Sequence, residues 1–298
     1  MNILKIAAFS DGDSGGNPAG VVIQPSLPSD SEMQTIAARL GFSETVFAMP
    51  QDQGWRVRYF SPEAEVPFCG HATIALGAAL AMQYGNGDFP LQLNQANISV
   101  SGQYQAGQLS AALQSPPTRS TAAPSALLQE ALDLFGLSAD QLCPKLPPAL
   151  IHAGADHLLL AVQERSTLSS MRYSLEAGRD LMRRAGLTTI LLLWAEDQQR
   201  FHSRNAFAVG GVYEDPATGA ATAALAGYLR DIGWEHGGHI EVVQGEDMGQ
   251  RSCLQATIPT EIGSSIRVSG KARLMAPHAN PSAPLQFTPF CCKDIAPC

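Results

Sequence analysis

Four side chains in this sequence have the chemistry and the setting to move a proton: Glu44, Cys69, His71 and Asp215. Glu44 stands among apolar neighbours in a predicted strand, where poor solvation would raise the pKa of its carboxyl toward the range of a general acid–base catalyst. A strand glutamate can equally point its side chain into water, and the sequence by itself leaves both interpretations open.

Cys69 and His71 stand on either side of Gly70 at a predicted helix start. The helix N-terminus would lower the pKa of the Cys69 thiol and suit it for proton transfer, whereas free cysteines more often fill small buried spaces. His71 would stay neutral there, because the helix dipole disfavours the imidazolium. It would donate to a substrate or relay a proton near neutral pH, or else simply meet solvent.

One twelve-residue segment occurs twice in the chain. Glu65–Leu76 reads EVPFCGHATIAL, Glu214–Leu225 reads EDPATGAATAAL, and the two agree at seven positions. Asp215 stands where the first copy has Val66. This charged replacement indicates either a division of labour between two equivalent halves or a plain capping carboxylate at a helix start.

Each copy predicts a buried helix that begins at a glycine. The residues are apolar almost all round, over Ala72–Met82 in the first copy and Ala220–Leu229 in the second, which is typical of an enclosed helix. Gly70 and Gly219 leave the first amides of these helices open to close approach, so two facing N-termini would bind one small anion. Duplication for packing alone is the alternative.

The composition restricts the classes of function. With 45% hydrophobic and 15% charged residues, the 298-residue chain has the composition of a globular protein, and its length favours about two domains. A net charge of −8 without a basic run argues against nucleic acid and anionic membranes as partners. The N-terminal segment is too short in its apolar part for a signal peptide, and no apolar run reaches the roughly 20 residues that span a bilayer.

The cysteines indicate a reduced, cytoplasmic protein. No Cys-x-x-Cys pair occurs, and nothing in the spacing demands a disulfide framework. Cys291 and Cys292 have no nearby His or Asp at ligand spacing, so we expect no metal site. The six cysteines are Cys69, Cys143, Cys253, Cys291, Cys292 and Cys298.

The remaining elements are expected to build two similar halves. Ser29–Leu40 predicts an amphipathic surface helix, and Ser125–Leu134 repeats it in the second half. Leu91–Val100 and Gln103–Leu113 predict a hairpin that turns near Ser101-Gly102.

Composition also suggests where the halves divide. The Pro/Ser/Thr-rich segment between 115 and 124 predicts a linker. We therefore expect an N-terminal lobe over residues 1–118 and a C-terminal lobe over residues 119–264. Ser265–Val268 and Arg273–Met275 predict separate late strands, and a late strand near 265–276 would complete the N-terminal lobe. Residues 277–298 would form a tail without periodicity.

The order and spacing of several motifs together resemble the phenazine-biosynthesis PhzF-like isomerase family over residues 1–276. The resemblance implies the diaminopimelate epimerase-like fold, an α+β (α/β) architecture of two pseudo-symmetric lobes. Each lobe would be a barrel-like, mostly antiparallel sheet around a buried central helix, with the active site between the lobes. The motifs are Asn17-Pro18, Ser43–Phe47 (SETVF), Glu65–Thr73 (EVPFCGHAT), Arg204, Glu214–Gly219 (EDPATG), Gly245–Gly249 (GEDMG) and Val268–Ala272 (VSGKA).

By this resemblance, Glu44 would be the catalytic glutamate that moves a proton between substrate carbons, supported by His71 and Asp215. The family's founding enzyme isomerises a dihydro-hydroxyanthranilate without metal or organic cofactor and works as a homodimer. We therefore expect a small carboxylate substrate, no cofactor and a homodimer. The expected substrate-binding positions are Asn17, Gly70, Ala72, Gly219 and Ala220.

The sequence departs from this pattern in its possible substrate contacts. The family often has Ser where this chain has Ala220, so one hydroxyl contact to substrate is missing. Related amino-acid racemases use two opposed cysteines; Cys69 resembles the first, but Ala217 and Thr218 stand where the second would be. We expect a cofactor-independent isomerase, with two alternatives: an epimerase that uses Glu44 and Cys69 on opposite faces, and a cleft protein that binds a metabolite without turning it over.

Overall fold

The computed structural model describes residues 2–275 of the chain. The tail expected from residue 277 onward, with the Cys291-Cys292 pair, lies outside the described residues. No helix in the described part is long and apolar enough to cross a membrane. The cysteines within it are free thiols: Cys69, Cys143 and Cys253.

Strands dominate the described part of the chain. The strands are β1 (Leu4–Ala8), β2 (Asn17–Ile23), β3 (Glu44–Gln51), β4 (Gly54–Phe60), β5 (Glu65–Val66), β6 (Gly87–Gln92), β7 (Asn97–Gln105), β8 (Gln108–Pro117), β9 (Arg119–Ala122), β10 (Ala149–His152), β11 (Asp156–Ala161), β12 (Thr189–Ala195), β13 (Arg200–Ala206), β14 (Glu214–Asp215), β15 (His239–Gln244), β16 (Ser252–Thr257) and β17 (Ser265–Leu274). The α-helices are α1 (Asp30–Leu40), α2 (Gly70–Tyr84), α3 (Ser125–Phe135), α4 (Arg165–Ser169), α5 (Leu175–Ala185) and α6 (Gly219–Asp231).

Eight strands form a closed barrel around α2. Each pairs with the next in the order β1, β2, β3, β4, β6, β7, β8, β17 and back to β1. The helix is buried continuously from His71 to Ala81, because a helix that is apolar on all sides must be enclosed on all sides. The buried helix predicted over Ala72–Met82 is confirmed.

A second set of eight strands encloses α6: β9, β10, β11, β12, β13, β15, β16 and β17. β9 and β17, at the two ends of this series, are not paired with each other among residues 2–275; the Thr118 amide, just before β9, donates to the Gly263 carbonyl, just before β17, at 3.0 Å. β17 therefore belongs to both barrels, pairing with β1 and β8 of one and β16 of the other. Two separate late strands were expected here. They form the single strand β17, because its residues pair along their length with strands of both barrels.

The two barrels repeat one pairing pattern. The pairs β2–β3 and β4–β6 are parallel, and so are their counterparts β11–β12 and β13–β15, while the other ring pairs are antiparallel. The expected architecture of two similar barrels around buried helices is confirmed. One expected correspondence is wrong: the counterpart of α1, which connects β2 to β3, is α5, whereas α3 precedes β10. Amphipathic spacing marks a surface helix without saying which crossover it occupies.

The hairpin expected to turn at Ser101-Gly102 turns elsewhere. β7 runs through Gly102, and the chain reverses at Ala106 and Gly107, whose φ angles of 51° and 80° fit a two-residue hairpin turn. Gly102 serves close packing instead, because a Cβ there would lie 2.1 Å from the carbonyl oxygen of Gly77 in α2. A glycine within a strand marks such a close approach of two backbones.

The segment between 115 and 124 is not a free linker. β8 extends to Pro117, and β9 follows at Arg119–Ala122, paired with β10. Pro116 and Pro117 lie at the end of β8, where the register with β17 shifts. Irregular strand ends tolerate residues that lack an amide hydrogen, so proline content here does not exclude a sheet.

An arginine holds the glutamate that opens each copy of the repeated motif. Arg58 donates to the two carboxylate oxygens of Glu65 at 2.7 and 2.6 Å. In the second barrel, Arg204 Nε and Nη2 donate to Oε1 and Oε2 of Glu214 at 3.1 and 2.6 Å. Each arginine stands two residues before the strand partner of its glutamate. The bidentate ion pairs of the two glutamates thus hold the segment that precedes each buried helix against its barrel.

Candidate active site

The N-termini of α2 and α6 lie beside each other, where the two helices are in contact. Gly70 and Gly219 both border a cavity of about 30 Å³, together with Ala220, Phe9 and Phe68. The first amides of a helix have no acceptor within it, so both helix ends direct partial positive charge toward this region. A wider groove of about 510 Å³ along β7, β8, β16 and β17 is lined by none of the four titratable side chains discussed above.

Glu44, Cys69 and His71 form one cluster on the side of the first barrel. Nε2 of His71 lies 3.4 Å from Oε2 of Glu44 and 3.3 Å from Oγ of Ser43, and its Nδ1 lies 3.3 Å from the Cys69 sulfur. Glu44 is the first residue of β3, while Cys69 and His71 belong to the cap and first turn of α2. The start of a strand and the start of a helix therefore set these distances together.

The thiol of Cys69 differs from the sequence expectation. Burial raises its pKa well above the ordinary value, and the negative charges of Glu44 and Asp215 raise it further. A backbone hydrogen bond from Ala72 lowers the pKa, as a helix N-terminus is expected to do, but burial outweighs it. The expected lowering is therefore wrong, and Cys69 is a neutral thiol at physiological pH.

Asp215 brings a carboxyl group from the second barrel. Nδ2 of Asn17 donates to its Oδ1 at 2.8 Å, and the Thr218 hydroxyl donates to its Oδ2 at 2.5 Å. Burial raises the pKa of Asp215 to about 6, against the lowering influence of His71 and the two hydrogen bonds, and the charge of Glu44 adds to the rise. The carboxyl thus lies within electrostatic reach of both Glu44 and His71.

Two buried residues beside Asp215 were not predicted. Nε2 of Gln244 donates to the Asp215 carbonyl at 2.7 Å and to the Thr218 hydroxyl at 3.0 Å, and its Oε1 accepts from the Thr218 amide at 3.1 Å. Asn205 faces Asp215 across β13 and β14, and its side-chain amide has no hydrogen-bond partner among residues 2–275. Gln244 stands directly before the GEDMG motif, and this position could have marked it as a candidate site residue. No comparable feature of the sequence marks Asn205.

The expected substrate-binding positions fall into two groups. Gly70, Gly219 and Ala220 border the cavity between the helix starts. Asn17 bonds Asp215, and the backbone of Ala72 bonds the sulfur of Cys69, so these two face the titratable cluster.

The cluster contains two carboxyl groups. In the described part of the chain, Oε2 of Glu44 lies 3.4 Å from Nε2 of His71, and the carboxyl of Asp215 is bonded by the neutral side chains of Asn17 and Thr218. An anionic substrate would therefore depend on the helix N-termini for its attraction. Cys69, His71 and Glu44 also carry donor atoms of metal-ligand type, which all lie within 4.8 Å of one another.

Comparison with known proteins gives a consistent result. A model of the family described as phenazine biosynthesis-like protein, PhzC-PhzF, matches residues 6–277. An uncharacterized isomerase from Deinococcus radiodurans is 32% identical over 242 residues, covering 77% of this chain and 76% of that protein. The trans-2,3-dihydro-3-hydroxyanthranilate isomerase of Pseudomonas chlororaphis is 29% identical over 257 residues, covering 84% and 88%.

A solved structure shares the fold. The phenazine biosynthesis protein of the PhzF family from Bacillus anthracis superposes with a TM-score of 0.80 at 21% identity. The superposition covers 93% of this chain and 98% of that chain, so the likeness includes both barrels.

Proposed function

Because the chain belongs to the PhzC-PhzF family of phenazine biosynthesis-like isomerases, we propose that Glu44 moves a proton within a small carboxylate substrate without a cofactor. The observation that supports this most is the meeting of Glu44 and His71 from one barrel with Asp215 from the other, beside two helix N-termini. Membership of an isomerase family sets aside the alternative of a cleft protein without catalysis.

In the proposed reaction, the carboxylate of Glu44 takes a proton from a substrate carbon that conjugation has acidified. The electron pair of the broken C–H bond spreads into the substrate, and the first amides of α2 and α6 stabilise the charge that develops on its carboxylate. Glu44 then returns the proton to another carbon, so substrate and product contain the same atoms.

His71 and Asp215 support this transfer in different ways. His71 lies 3.4 Å from the Glu44 carboxylate, where it orients that group and exchanges protons with it. Asp215, with its pKa raised to about 6, changes protonation close to neutral pH and can donate to or accept from a polar substituent of the substrate. The two carboxyls thus take different roles because their surroundings differ.

A second candidate is an epimerase in which Glu44 and Cys69 act on opposite faces of one carbon. The contact of 3.3 Å between the Cys69 sulfur and Nδ1 of His71 favours it, because a neutral thiol beside an imidazole can deliver a proton. The raised pKa of Cys69 disfavours the thiolate that the reverse direction needs.

The test is deuterium uptake in D2O, followed by mass spectrometry over small cyclic and amino-acid carboxylates, dihydro-3-hydroxyanthranilate among them. Uptake or isomerisation by the wild type is expected to vanish in Glu44→Gln while binding of the same compound persists. The exposed Glu63→Gln is the matched control and should keep full activity. Equal loss in Cys69→Ser would establish the epimerase instead, and binding without exchange across the panel would contradict the proposal.

The proposal includes a homodimer in the cytoplasm, as the family resemblance implies. Sedimentation equilibrium of the purified full chain tests the oligomeric state. A mass of twice the 31.6 kDa chain is expected, and a monomer at all concentrations would contradict it.

A further inference from the structure

We propose that Gln244 is a positioning residue, which fixes the Thr218 hydroxyl as a hydrogen-bond donor to Asp215 and thereby supports the ionised form of that carboxyl. Its effect on turnover rests on the function proposed above, whereas the chain of hydrogen bonds from Gln244 through Thr218 to Asp215 rests on the contacts of these three residues.

The side-chain amide of Gln244 has only one orientation that satisfies its neighbours. The backbone amide of Thr218 is a donor, so it must meet the side-chain oxygen, which lies 3.1 Å away. The backbone carbonyl of Asp215 is an acceptor, so it must meet the side-chain nitrogen, at 2.7 Å. The second hydrogen of that nitrogen is then directed at the Thr218 hydroxyl, at 3.0 Å. Gln244 is 0% exposed, so bulk water does not compete for these bonds.

The direction of the next hydrogen bond follows from the number of hydrogens. A threonine hydroxyl has a single hydrogen, and its oxygen already accepts from Gln244. That hydrogen is therefore available for Oδ2 of Asp215, which lies 2.5 Å away. A hydroxyl that accepts one hydrogen bond becomes a stronger donor in the next. Because Oδ1 of Asp215 accepts from Asn17 at 2.8 Å, each barrel contributes one donor to the carboxyl.

The Thr218 hydroxyl does not serve the start of its own helix. Thr218 is the N-cap residue of α6, a position where threonine ordinarily accepts a hydrogen bond from an amide of the first turn. Among residues 2–275 its side chain makes no such capping bond. The hydroxyl lies between Gln244 and Asp215 instead, which indicates a role in the site rather than in the helix.

The first barrel shows that the fold does not need a glutamine at this position. The registers of the parallel pairs β4–β6 and β13–β15 place Leu93, one residue past β6, at the position that corresponds to Gln244. Leu93 is buried in the apolar core of its barrel. In the same way, Asp215 stands where the first barrel has Val66. An amide and a carboxyl thus replace two apolar side chains together, and packing alone explains neither replacement.

Substitution of Gln244 is expected to change the titration of Asp215. Burial raises the pKa of Asp215 to about 6 against the opposing effect of the hydrogen bond from Thr218. Without the amide of Gln244, the Thr218 hydroxyl can turn to another acceptor, and that opposing effect weakens. Gln244→Leu should therefore raise the pKa of Asp215 by about one unit, the equivalent of one hydrogen bond to a charged group. Gln244→Met, which keeps the unbranched shape, should do the same.

The pKa is measured by carbon-13 NMR titration of the full chain labelled at its aspartate carboxyl carbons. The Asp215 signal is assigned by its absence from Asp215→Asn, and no substrate is needed. Gln255→Leu, at an exposed position of β16, is the matched control and should titrate as the wild type does.

A double-mutant cycle separates this chain of hydrogen bonds from a purely structural effect. Thr218→Val removes the hydroxyl and should raise the pKa of Asp215, whereas Thr218→Ser keeps the hydroxyl and should keep the wild-type value. In the Thr218→Val background, Gln244→Leu should add nothing further, because both substitutions act through one hydroxyl.

Two results would overturn the proposed role of Gln244: an unchanged pKa of Asp215 in both Gln244 variants, or effects of Gln244→Leu and Thr218→Val that add in full. Once a substrate is known, the pH dependence of isomerisation should shift together with the pKa of Asp215. A shifted pKa with an unaltered pH dependence of turnover would leave the hydrogen-bond chain standing and overturn the part of Asp215 in the proposed reaction.

Discussion

At the residue scale, the raised pKa of Asp215 links the site to stability. Burial raises it from 3.8 to about 6, so the folded chain binds this proton more tightly than the unfolded chain does. The folded state therefore gains its full stabilisation from this group below about pH 3.8, and that contribution is lost as the pH rises through about 6.

Replacing Asp215 by Asn removes this titration. Relative to the variant, the wild type is expected to lose about 1 kcal/mol of unfolding free energy between about pH 5 and about pH 7.5. Urea unfolding of both proteins at the two pH values measures the difference. Asp180→Asn, on the exposed side of α5, should follow the wild type. Equal pH dependence of the wild type and Asp215→Asn would show that the pKa of Asp215 is not raised.

The sequence identified the candidate site residues through motifs that are local in the chain. Glu44, His71 and Asp215 each stand in or beside such a motif. Gln244 stands directly before a motif, but its role depends on a contact with Thr218 that is made only after the second barrel closes. The pKa of Cys69 was misjudged for a related reason: the local effect of a helix start was visible, whereas the depth of burial was not.

At the element scale, the two arginine–glutamate pairs provide an internal comparison. The pair of Arg204 and Glu214 is 9% and 3% exposed, and that of Arg58 and Glu65 is 16% and 27% exposed. Breaking a buried pair leaves an uncompensated charge, which costs about 3–5 kcal/mol, whereas partly exposed pairs contribute about 1 kcal/mol or less.

Glu214→Gln is therefore expected to lower the unfolding free energy by at least about 2 kcal/mol more than Glu65→Gln does. Chemical denaturation of the two variants at one pH measures this difference directly. Equal losses would mean that the two pairs do not differ in solvation.

Gly102 tests the close approach of α2 to the sheet. A Cβ at this position would meet the backbone oxygen of Gly77 at 2.1 Å and the Cβ of Ala81 at 3.0 Å. Gly102→Ala is expected to cost at least about 1–3 kcal/mol of unfolding free energy, because backbone must move to accommodate it. Gly87→Ala in β6 is the control, since a Cβ there meets nothing within 4 Å. Equal unfolding free energies for the two variants would refute the close contact.

The elements that could be predicted from the sequence are those whose signal lies within the segment itself. The buried helices were predictable because their apolar residues extend around the whole circumference, a property of the segment itself. The turn at Ala106-Gly107 was not, because Gly102 is an equally good turn signal until the helix behind it is known. Likewise, the prolines near residue 116 suggest that the strand ends before them. The pairing of β8 with β17, which extends the strand to Pro117, is not visible in the sequence.

At the scale of the whole molecule, β17 completes both barrels. Unfolding one barrel would remove a strand from the other, so the described part of the chain should unfold as one cooperative unit. Trp55 lies in β4 of the first barrel and Trp194 in β12 of the second. Variants that keep one of these tryptophans, with the others replaced by Phe, should show coincident fluorescence transitions in urea. Separate midpoints would indicate independent lobes.

The low exposure of Glu44 has consequences for the path of the proton. Its side chain is 16% exposed, and it lies outside the lining of the cavity of about 30 Å³ between the helix starts. A proton held by a carboxyl with so little exposure should exchange slowly with solvent compared with its return to the substrate.

The central claim, that one glutamate carries the proton between two carbons, is tested most directly by following a label. A substrate deuterated at the reacting carbon would be converted in H2O, and the product analysed by mass spectrometry after a single turnover. A single shielded base predicts that part of the deuterium appears at the new position in the product, and that Glu44→Gln yields no product. Complete loss of the label to water, with product still formed by Glu44→Gln, would contradict the claim.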